Sequence, residues 1–342
     1  MQSTDHSKIV LLGDVGGTKA LLQIVAMNGA EVRVLREERF ACRHYDNFVD
    51  LLGEFLRREA HPHAPDVACL GIAGPVSNQV VKVTNLPWEI DAKQISAQFR
   101  IPRVRLLNDF EALAHGIDAL SEADLVTLQR GAVARDEPRA IIGAGTGLGA
   151  AFMVWGEDGY RVVPIEIGRT GFAPADSLQA DLWRYLNERF GKPNAKMVLS
   201  GAGLVSIYEF VCQRLAVQPR PRVQSAGEDE DPAATVTRLG LDGDDRAAAS
   251  ALDLFLSIYG SRAGDLALTV LAKSGVYVAG GMAPKLLPRL RSSPFLKAFN
   301  DKDAFSSLMA NMPVHVVLNE RTGLLGAAAV VAGVTSPHVA AL

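Results

Sequence analysis

Two glycine-rich stretches of the sequence have residue types suited to phosphate binding. The first lies between two apolar runs, a pattern typical of a strand, a tight turn and a second strand. Adjacent glycines adopt positive φ easily and leave backbone N–H groups open to an anion. The alternative is an ordinary β-hairpin with a structural aspartate, and this stretch alone does not separate the two. Its residues are Gly13, Asp14, Val15, Gly16, Gly17 and Thr18.

The second glycine-rich stretch repeats this arrangement between residues 139 and 154. A later apolar run, residues 275–279, also ends in a pair of glycines. We interpret the repetition as an internal duplication in which two similar halves face one another. Two such turns could clamp a triphosphate such as that of ATP. The candidate residues are Gly143, Gly145, Thr146, Gly147, Gly280 and Gly281.

Two further positions supply oxygen ligands and a proton acceptor. Asp14 could hold Mg²⁺, directly or through water, because this cation prefers oxygen ligands. Asn108 and Asp109 follow the apolar run 104–107, so they lie where a strand ends. An aspartate there could act as a general base, and an asparagine could hold a hydroxyl group. The alternative is a helix N-cap at the start of the next helix.

Together these features suit phosphoryl transfer. That reaction needs positioned groups, neutralisation of phosphate charge and a group that takes the proton of the acceptor. Ligands of open α/β sheets collect at the carboxyl ends of strands, where all of these residues fall.

Composition excludes several other classes of protein. The 342 residues allow two domains, and a net charge of −3 argues against recognition of nucleic acid. The three cysteines are far apart and form no CxxC, which argues against a zinc cluster or a disulfide framework. No apolar run reaches membrane-spanning length, and the polar start lacks the pattern of a signal peptide. We therefore expect a cytoplasmic protein without a membrane partner.

The hydrophobic pattern predicts an α/β protein. An antiparallel start continues as parallel strands and helices, and a second pass begins near residue 139. Helices are expected at about 178–190, 203–215 and 246–272, with a small-residue helix at 323–332. Residues 218–245, rich in proline and acidic side chains, are expected to form a mobile, solvated insertion.

Eight stretches resemble, in order, the motifs of bacterial glucokinases, which belong to the hexokinase/actin superfamily. They are residues 12–18, 71–76, 84–88, 107–110, 143–149, 198–201, 278–281 and 323–326. The resemblance implies ATP-dependent phosphorylation of D-glucose to glucose 6-phosphate. It makes Asp109 the catalytic base and assigns sugar contacts to Gly74, Asn108, Asp109 and Glu166. Mg-ATP would be held by the two glycine turns, and a homodimer is common in the family.

The resemblance also implies an α/β, two-domain actin-like ATPase (ribonuclease H-like) fold. A cleft would separate a small domain from a large one. The small domain would comprise residues 1–110, completed by a C-terminal helix at about 322–342. The large domain would comprise residues 111–321, including the insertion at 218–245.

The residues expected to bind the sugar depart from the family pattern. Glu166 is kept, but the family's histidine three residues later is Arg169 here. A second sugar-binding glutamate of the family falls on Arg189, although the neighbouring Glu188 could restore a carboxylate. Arginine only donates hydrogen bonds and stays charged, so two arginines would suit an anionic or differently placed substrate. A smaller departure is Lys19, where the family often has asparagine.

Two alternatives to a glucokinase therefore remain open at this stage. One is a kinase of another sugar or sugar derivative. The other is a non-catalytic sensor of sugar or nucleotide that keeps the fold. A transcriptional role is disfavoured, because the cysteine-rich zinc motif of the related repressors is absent.

Overall fold

The computed structural model describes residues 7–58, 64–220, 231–292 and 294–334. The chain divides into two units, Met1–Leu120 with Arg321–Leu342, and Ser121–Glu320. Within the described ranges, none of the helices combines the length and the apolar character needed to span a bilayer.

The strands are β1 (Lys8–Val15), β2 (Lys19–Asn28), β3 (Glu31–Ala41), β4 (Val67–Ile72), β5 (Val76–Ser77), β6 (Val80–Lys82), β7 (Glu89–Asp91), β8 (Arg103–Asn108), β9 (Leu125–Gln129), β10 (Arg139–Ala144), β11 (Leu148–Gly156), β12 (Gly159–Ile165), β13 (Val276–Ala279) and β14 (Val314–Val317). The helices are α1 (Phe48–Arg57), α2 (Ala92–Phe99), α3 (Asp109–Gly116), α4 (Ser177–Phe190), α5 (Gly201–Arg214), α6 (Pro232–Asp242), α7 (Arg246–Val270), α8 (Ala283–Leu290), α9 (Pro294–Asn300), α10 (Ser306–Ala310) and α11 (Thr322–Val334).

The first unit is built on a sheet in the order β3-β2-β1-β4-β8. β1, β2 and β3 are antiparallel, whereas β1, β4 and β8 run parallel, as the apolar pattern predicts. All six residues of β4 are buried, because helices cover both faces of this part of the sheet. One face packs against α1 and α2, and the other packs against α3 and α11.

Small residues let α3 and α11 meet at backbone distance. A Cβ on Gly326 would lie 1.7 Å from the carbonyl oxygen of Ala112, and one on Gly116 would lie 2.1 Å from that of Thr322. Such contact keeps α3 in the first unit, which therefore extends to Leu120 rather than to the expected residue 110.

The second unit is built on a sheet in the order β12-β11-β10-β13-β14-β9. β10, β13 and β14 are parallel, and the other neighbouring pairs are antiparallel. The long helix α7 supplies much of the core, including the fully buried side chains of Phe255 and Tyr259. Its observed bounds agree closely with the predicted 246–272.

The expected loop at residues 218–245 is partly wrong. Residues 232–242 form α6, whose N-cap Asp231 accepts a hydrogen bond from the backbone N–H of Ala233 at 3.0 Å. The helix docks closely on α7, since a Cβ on Gly240 would lie 2.8 Å from the carbonyl oxygen of Ala248. Pro232 is the first residue of α6, where the backbone N–H that proline lacks would have no partner within the helix. Residues 221–230 of the expected insertion lie outside the described residues.

An ion pair fastens the start of α11 to β3. Two nitrogens of Arg321 donate to the carboxylate of Glu37 at 2.8 and 2.7 Å. These hydrogen bonds are the largest cause that lowers the pKa of Glu37 to about 2, from an ordinary value of 4.5. The ionised carboxylate therefore stabilises the fold above pH 4.5, and this contribution disappears as the pH falls through 2.

We predict that Glu37→Gln lowers the thermal midpoint at pH 7 and that the difference from wild type shrinks as the pH falls below about 4.5. Circular dichroism melting at pH 7, 5 and 3.5 measures the effect. Glu31→Gln, at the exposed start of β3, is the control. A difference that stays constant over this pH range contradicts the prediction.

Candidate active site

The carboxyl ends of three parallel strands meet at one edge of the first sheet. Asp14 on β1 pairs with Gly71 on β4, which pairs in turn with Leu107 on β8. The next row contains Val15 and Asn108. The first glycine turn, the segment at Gly74 and the Asn108–Asp109 pair therefore lie at the same edge, as expected.

The first glycine turn is held on both sides. The backbone N–H of Gly16 donates to the carbonyl of Lys19 at 2.9 Å, which closes the turn. Cys42 donates its backbone N–H to Thr18 O at 3.0 Å and its thiol to Gly16 O at 3.6 Å. A Cβ on Gly17 would lie 2.9 Å from the carbonyl oxygen of Thr84, so this position needs a glycine. The hairpin reading is thus correct as structure and compatible with an anion nest.

Asp14 is a partly buried carboxyl beside the start of α11. A Cβ on Gly323 would lie 3.4 Å from its Oδ2. Burial raises the pKa of Asp14 to about 6, and the positive charge of Arg39 opposes this shift. Ionised Asp14 therefore gains from a neighbouring cation. In the part of the chain that the structure describes, no cluster of three or more acidic, histidine or cysteine side chains could hold a metal alone. The donor set fits Mg²⁺ that keeps waters and phosphate oxygens as its other ligands.

Asn108 serves as the N-cap of α3. Its Oδ1 accepts from the backbone N–H groups of Phe110 at 3.0 Å and Glu111 at 3.3 Å. The Glu111 side chain accepts in return from the N–H of Asn108 at 3.2 Å, which completes a capping box. Its Nδ2 donates to the carbonyl of Gly74 at 3.0 Å. The helix-cap interpretation is therefore correct, and the role of Asn108 as a hydroxyl ligand, for which one amide hydrogen remains, stays a prediction.

Gly74 and Asp109 complete this edge of the sheet. Gly74 has a φ of +151°, and a Cβ there would lie 2.6 Å from Lys82 O. Asp109 is the first residue of α3 and is partly buried, with Oδ1 accepting from the N–H of Phe110 at 3.0 Å. A helix N-terminus favours the negative charge that a general base needs.

The second glycine turn lies at the carboxyl ends of β10 and β13. The N–H of Gly145 donates to Gly147 O at 2.8 Å, and its carbonyl accepts from the N–H of Gly201 at 2.9 Å. Gly143 pairs with Ala279, so the glycines that follow β13 reach the same place. Gly280 has a φ of +81°. Thr146, at the tip of the turn, is exposed.

A buried tyrosine holds the end of β10. The hydroxyl of Tyr259 accepts from the N–H of Ala144 at 3.1 Å and donates to the carbonyl of Ile142 at 3.3 Å. The carbonyl of Ala144 accepts from the N–H of Met282 at 3.2 Å. The strand before the second turn is therefore fixed where the sheet ends.

Glu166 lies at the same edge as the second turn. β12 is antiparallel to β11 with Ile165 opposite Ala150, so Glu166 follows beside the start of β11. Glu166 and Arg169 are both exposed, and only their backbones are joined, from the N–H of Arg169 to Glu166 O at 3.2 Å.

The expected second cation, Arg189, is engaged elsewhere in the second unit. Its Nη1 donates to the carboxylate of Glu209 on α5 at 2.7 Å, and its guanidinium lies 5.0 Å from the ring centre of Tyr185. The neighbouring Glu188 is exposed.

The cation beside Arg169 is Lys196, which sequence reasoning missed. A Cβ on Gly168 would lie 3.6 Å from that of Lys196. Burial, followed by the charge of Arg169, lowers the pKa of Lys196. The sequence signal that could have identified Lys196 is its position just before the motif at residues 198–201.

The chain is similar to known proteins along nearly its whole length. A family model described as Glucokinase matches residues 11–334. The glucokinase of Nostoc sp. is 39% identical over 334 residues, covering 94% of this chain and 98% of the relative. That of Helicobacter pylori is 32% identical over 322 residues, covering 93% and 94%.

Solved structures agree with the sequence comparisons. The crystal structure of a glucokinase from an Antarctic psychrotroph has a TM-score of 0.78 and 28% identity, covering 94% of this chain and 98% of that one. A glucokinase from Balamuthia mandrillaris, in complex with glucose, has a TM-score of 0.80 at 20% identity, covering 97% and 95%, and supports the fold alone. These similarities confirm the expected α/β, actin-like ATPase fold.

We predict that alanine substitution destabilises the protein at Gly280 but not at the neighbouring Gly281. In Gly280→Ala the new Cβ would lie 2.7 Å from Ala144 O, in a left-handed backbone conformation. We expect a loss of about 1–3 kcal/mol in unfolding free energy. Gly281→Ala, where a Cβ meets open space, is the matched control and should change little. Calorimetric melting measures both, and equal losses would contradict the prediction.

Proposed function

The chain belongs to the glucokinase family, and on that premise we propose that it transfers the γ-phosphoryl group of ATP to D-glucose, giving glucose 6-phosphate and ADP. The observation that carries the proposal is the meeting of Asp109, Asn108 and the first glycine turn at one edge of the sheet. In this proposal the edge would supply a base, a hydroxyl ligand and a phosphate turn from one sheet.

We assign Asp109 as the general base. As the 6-hydroxyl oxygen of glucose attacks the γ-phosphorus, its proton passes to a carboxylate oxygen of Asp109. The bond from phosphorus to the ADP oxygen breaks, and ADP leaves with that electron pair. The remaining amide hydrogen of Asn108 orients the hydroxyl. We propose Gly74, Glu166 and Glu188 as further sugar contacts.

We assign the phosphate groups of ATP to the two glycine turns. Backbone N–H groups of residues 13–18 and 143–147, with Gly280 and Gly281, would donate to phosphate oxygens. Asp14 would hold Mg²⁺ through water, and bound Mg²⁺ would neutralise phosphate charge. We also propose that the protein is a homodimer and acts in the cytoplasm.

One observation favours a second candidate, a kinase of another sugar or sugar derivative. Arg169 follows Glu166 by three residues, and a Cβ on the intervening Gly168 would lie 3.6 Å from that of Lys196. Two cations therefore accompany Glu166 in this part of the fold, whereas neutral hydroxyl groups would need acceptors as well as donors. A panel of sugars assayed with ATP and Mg²⁺ separates the two candidates. If another sugar has a kcat/KM well above that of glucose, the second candidate is correct.

We predict that Asp109→Asn lowers kcat by about 10²–10⁴-fold with a smaller change in the KM for glucose, because the proton acceptor is lost. A coupled assay of ADP formation measures both constants. Asp118→Asn, an exposed acid after the same helix, is the control and should keep wild-type rates. Unchanged kcat in Asp109→Asn would refute the assigned base. Glucose binding in calorimetry without any turnover of the wild-type chain would instead indicate a sensor.

We predict that Asp14→Asn lowers kcat/KM for Mg-ATP by about 10–100-fold and raises the Mg²⁺ concentration needed for half-maximal rate. The thermal midpoint of the free protein should stay equal or rise, because a partly buried carboxyl becomes a neutral amide. Asp46→Asn, in the exposed segment before α1, is the control. A fall in activity that only follows a fall in stability contradicts this role.

A further inference from the structure

Tyr259, in the middle of α7, places a buried hydroxyl against the end of β10. Its side chain is fully buried, and its ring packs edge-to-face on those of Phe255 and Phe295, with ring centres 6.0 and 5.6 Å away. The next residue, Gly260, lets the start of α9 approach, since a Cβ there would collide with the carbonyl oxygen of Phe295. The packing of α7 and α9 therefore fixes where the hydroxyl lies.

The hydroxyl bonds two backbone groups that are two residues apart on β10. It accepts from the N–H of Ala144 at 3.1 Å and donates to the carbonyl of Ile142 at 3.3 Å. Burial raises the pKa of Tyr259 above its ordinary value of 10, so the hydroxyl keeps the proton that it donates. Ile142 and Ala144 are themselves buried, and a buried backbone group that loses a partner is costly. Removal of the hydroxyl would therefore loosen the end of the strand.

Ala144 is the residue at which both parts of the second glycine turn meet. It directly precedes Gly145, and its carbonyl accepts from the N–H of Met282 at 3.2 Å. A Cβ on Gly280 would lie 2.7 Å from the oxygen of Ala144 and 3.2 Å from its nitrogen. A shift of Ala144 would therefore disturb both segments to which we assign phosphate groups.

We propose that Tyr259 is a positioning residue for the nucleotide. Through Ala144 it holds the backbone N–H groups of the second turn, and those that follow β13, in the directions that phosphate oxygens require. The inference rests on the proposed function, which assigns the phosphate groups of ATP to this turn. Because its side chain is fully buried, Tyr259 acts through the strand and not by touching the nucleotide. Donors that are already arranged bind an anion without the cost of ordering the loop.

The first test compares Tyr259→Phe with the matched control Tyr208→Phe. Tyr208 is a second fully buried tyrosine of the same unit, and its hydroxyl accepts from the N–H of Arg220 at 3.1 Å and donates to the carboxylate of Asp245 at 3.3 Å. We expect Tyr259→Phe to lower kcat/KM for Mg-ATP about 5–10-fold, as for one lost hydrogen bond, and to leave the KM for glucose within about twofold. Tyr208→Phe should lower the thermal midpoint comparably and keep both constants at wild-type values.

Two further measurements need no turnover. Calorimetric titration with ADP should show about the same 5–10-fold weakening in Tyr259→Phe. Hydrogen exchange of the wild-type protein should show the N–H of Ala144 protected before any nucleotide is added, whereas those of Thr146 and Gly147 gain protection only with ADP. This second measurement applies even if Tyr259→Phe does not fold.

The proposal is overturned if Tyr259→Phe keeps the kcat/KM for Mg-ATP and the ADP affinity of wild type, or if Tyr208→Phe changes them equally. It is also overturned if the KM for glucose rises by the same factor, or if Ala144 becomes protected only when ADP binds. Any of these results in a chain that forms ADP with glucose leaves the proposed function standing. Conversely, ADP binding that depends on Tyr259, in a chain without glucose-dependent ADP formation, would refute the proposed function and leave this inference standing.

Discussion

The backbone contact between α3 and α11 is the constraint on which the first unit depends. It joins a helix from the middle of the chain to one from its end, at glycines where any side chain would collide with a carbonyl. α3 begins with Asp109, and the start of α11 adjoins Asp14. One close approach of two helices therefore sets where α3 begins with Asp109 and which helix lies beside Asp14.

The two glycine turns share a strand–turn–strand pattern but differ in what holds them. The first is fastened by Cys42 and by the segment at Thr84. The second is fastened by the start of α5, while Tyr259 fixes the strand before it. Two similar local sequences therefore form glycine turns that different neighbouring segments hold in place.

The pattern of apolar runs predicted which residues would meet. Each run that ends in a glycine, an aspartate or an asparagine proved to be a strand, and register between parallel strands brought Asp14 and Asn108 to one edge. Spacing alone could not decide between a helix cap and a hydroxyl ligand at Asn108, because both need the same residue type. Lys196 was missed because its neighbour Arg169 is close only through the contact at Gly168. α6 was missed because the acidic residues that precede it dominate the local composition.

The hydrogen bonds already made by Asn108 restrict how any alcohol can be oriented beside it. Its amide oxygen is occupied by two backbone donors and one of its amide hydrogens by Gly74 O, so Asn108 has only a donor left. An alcohol that contacts both Asn108 and Asp109 must then accept from the amide and point its own hydrogen at the carboxylate. The reverse arrangement has no acceptor on Asn108. For an alcohol bound in this way, the cap of α3 would fix the direction in which its proton leaves.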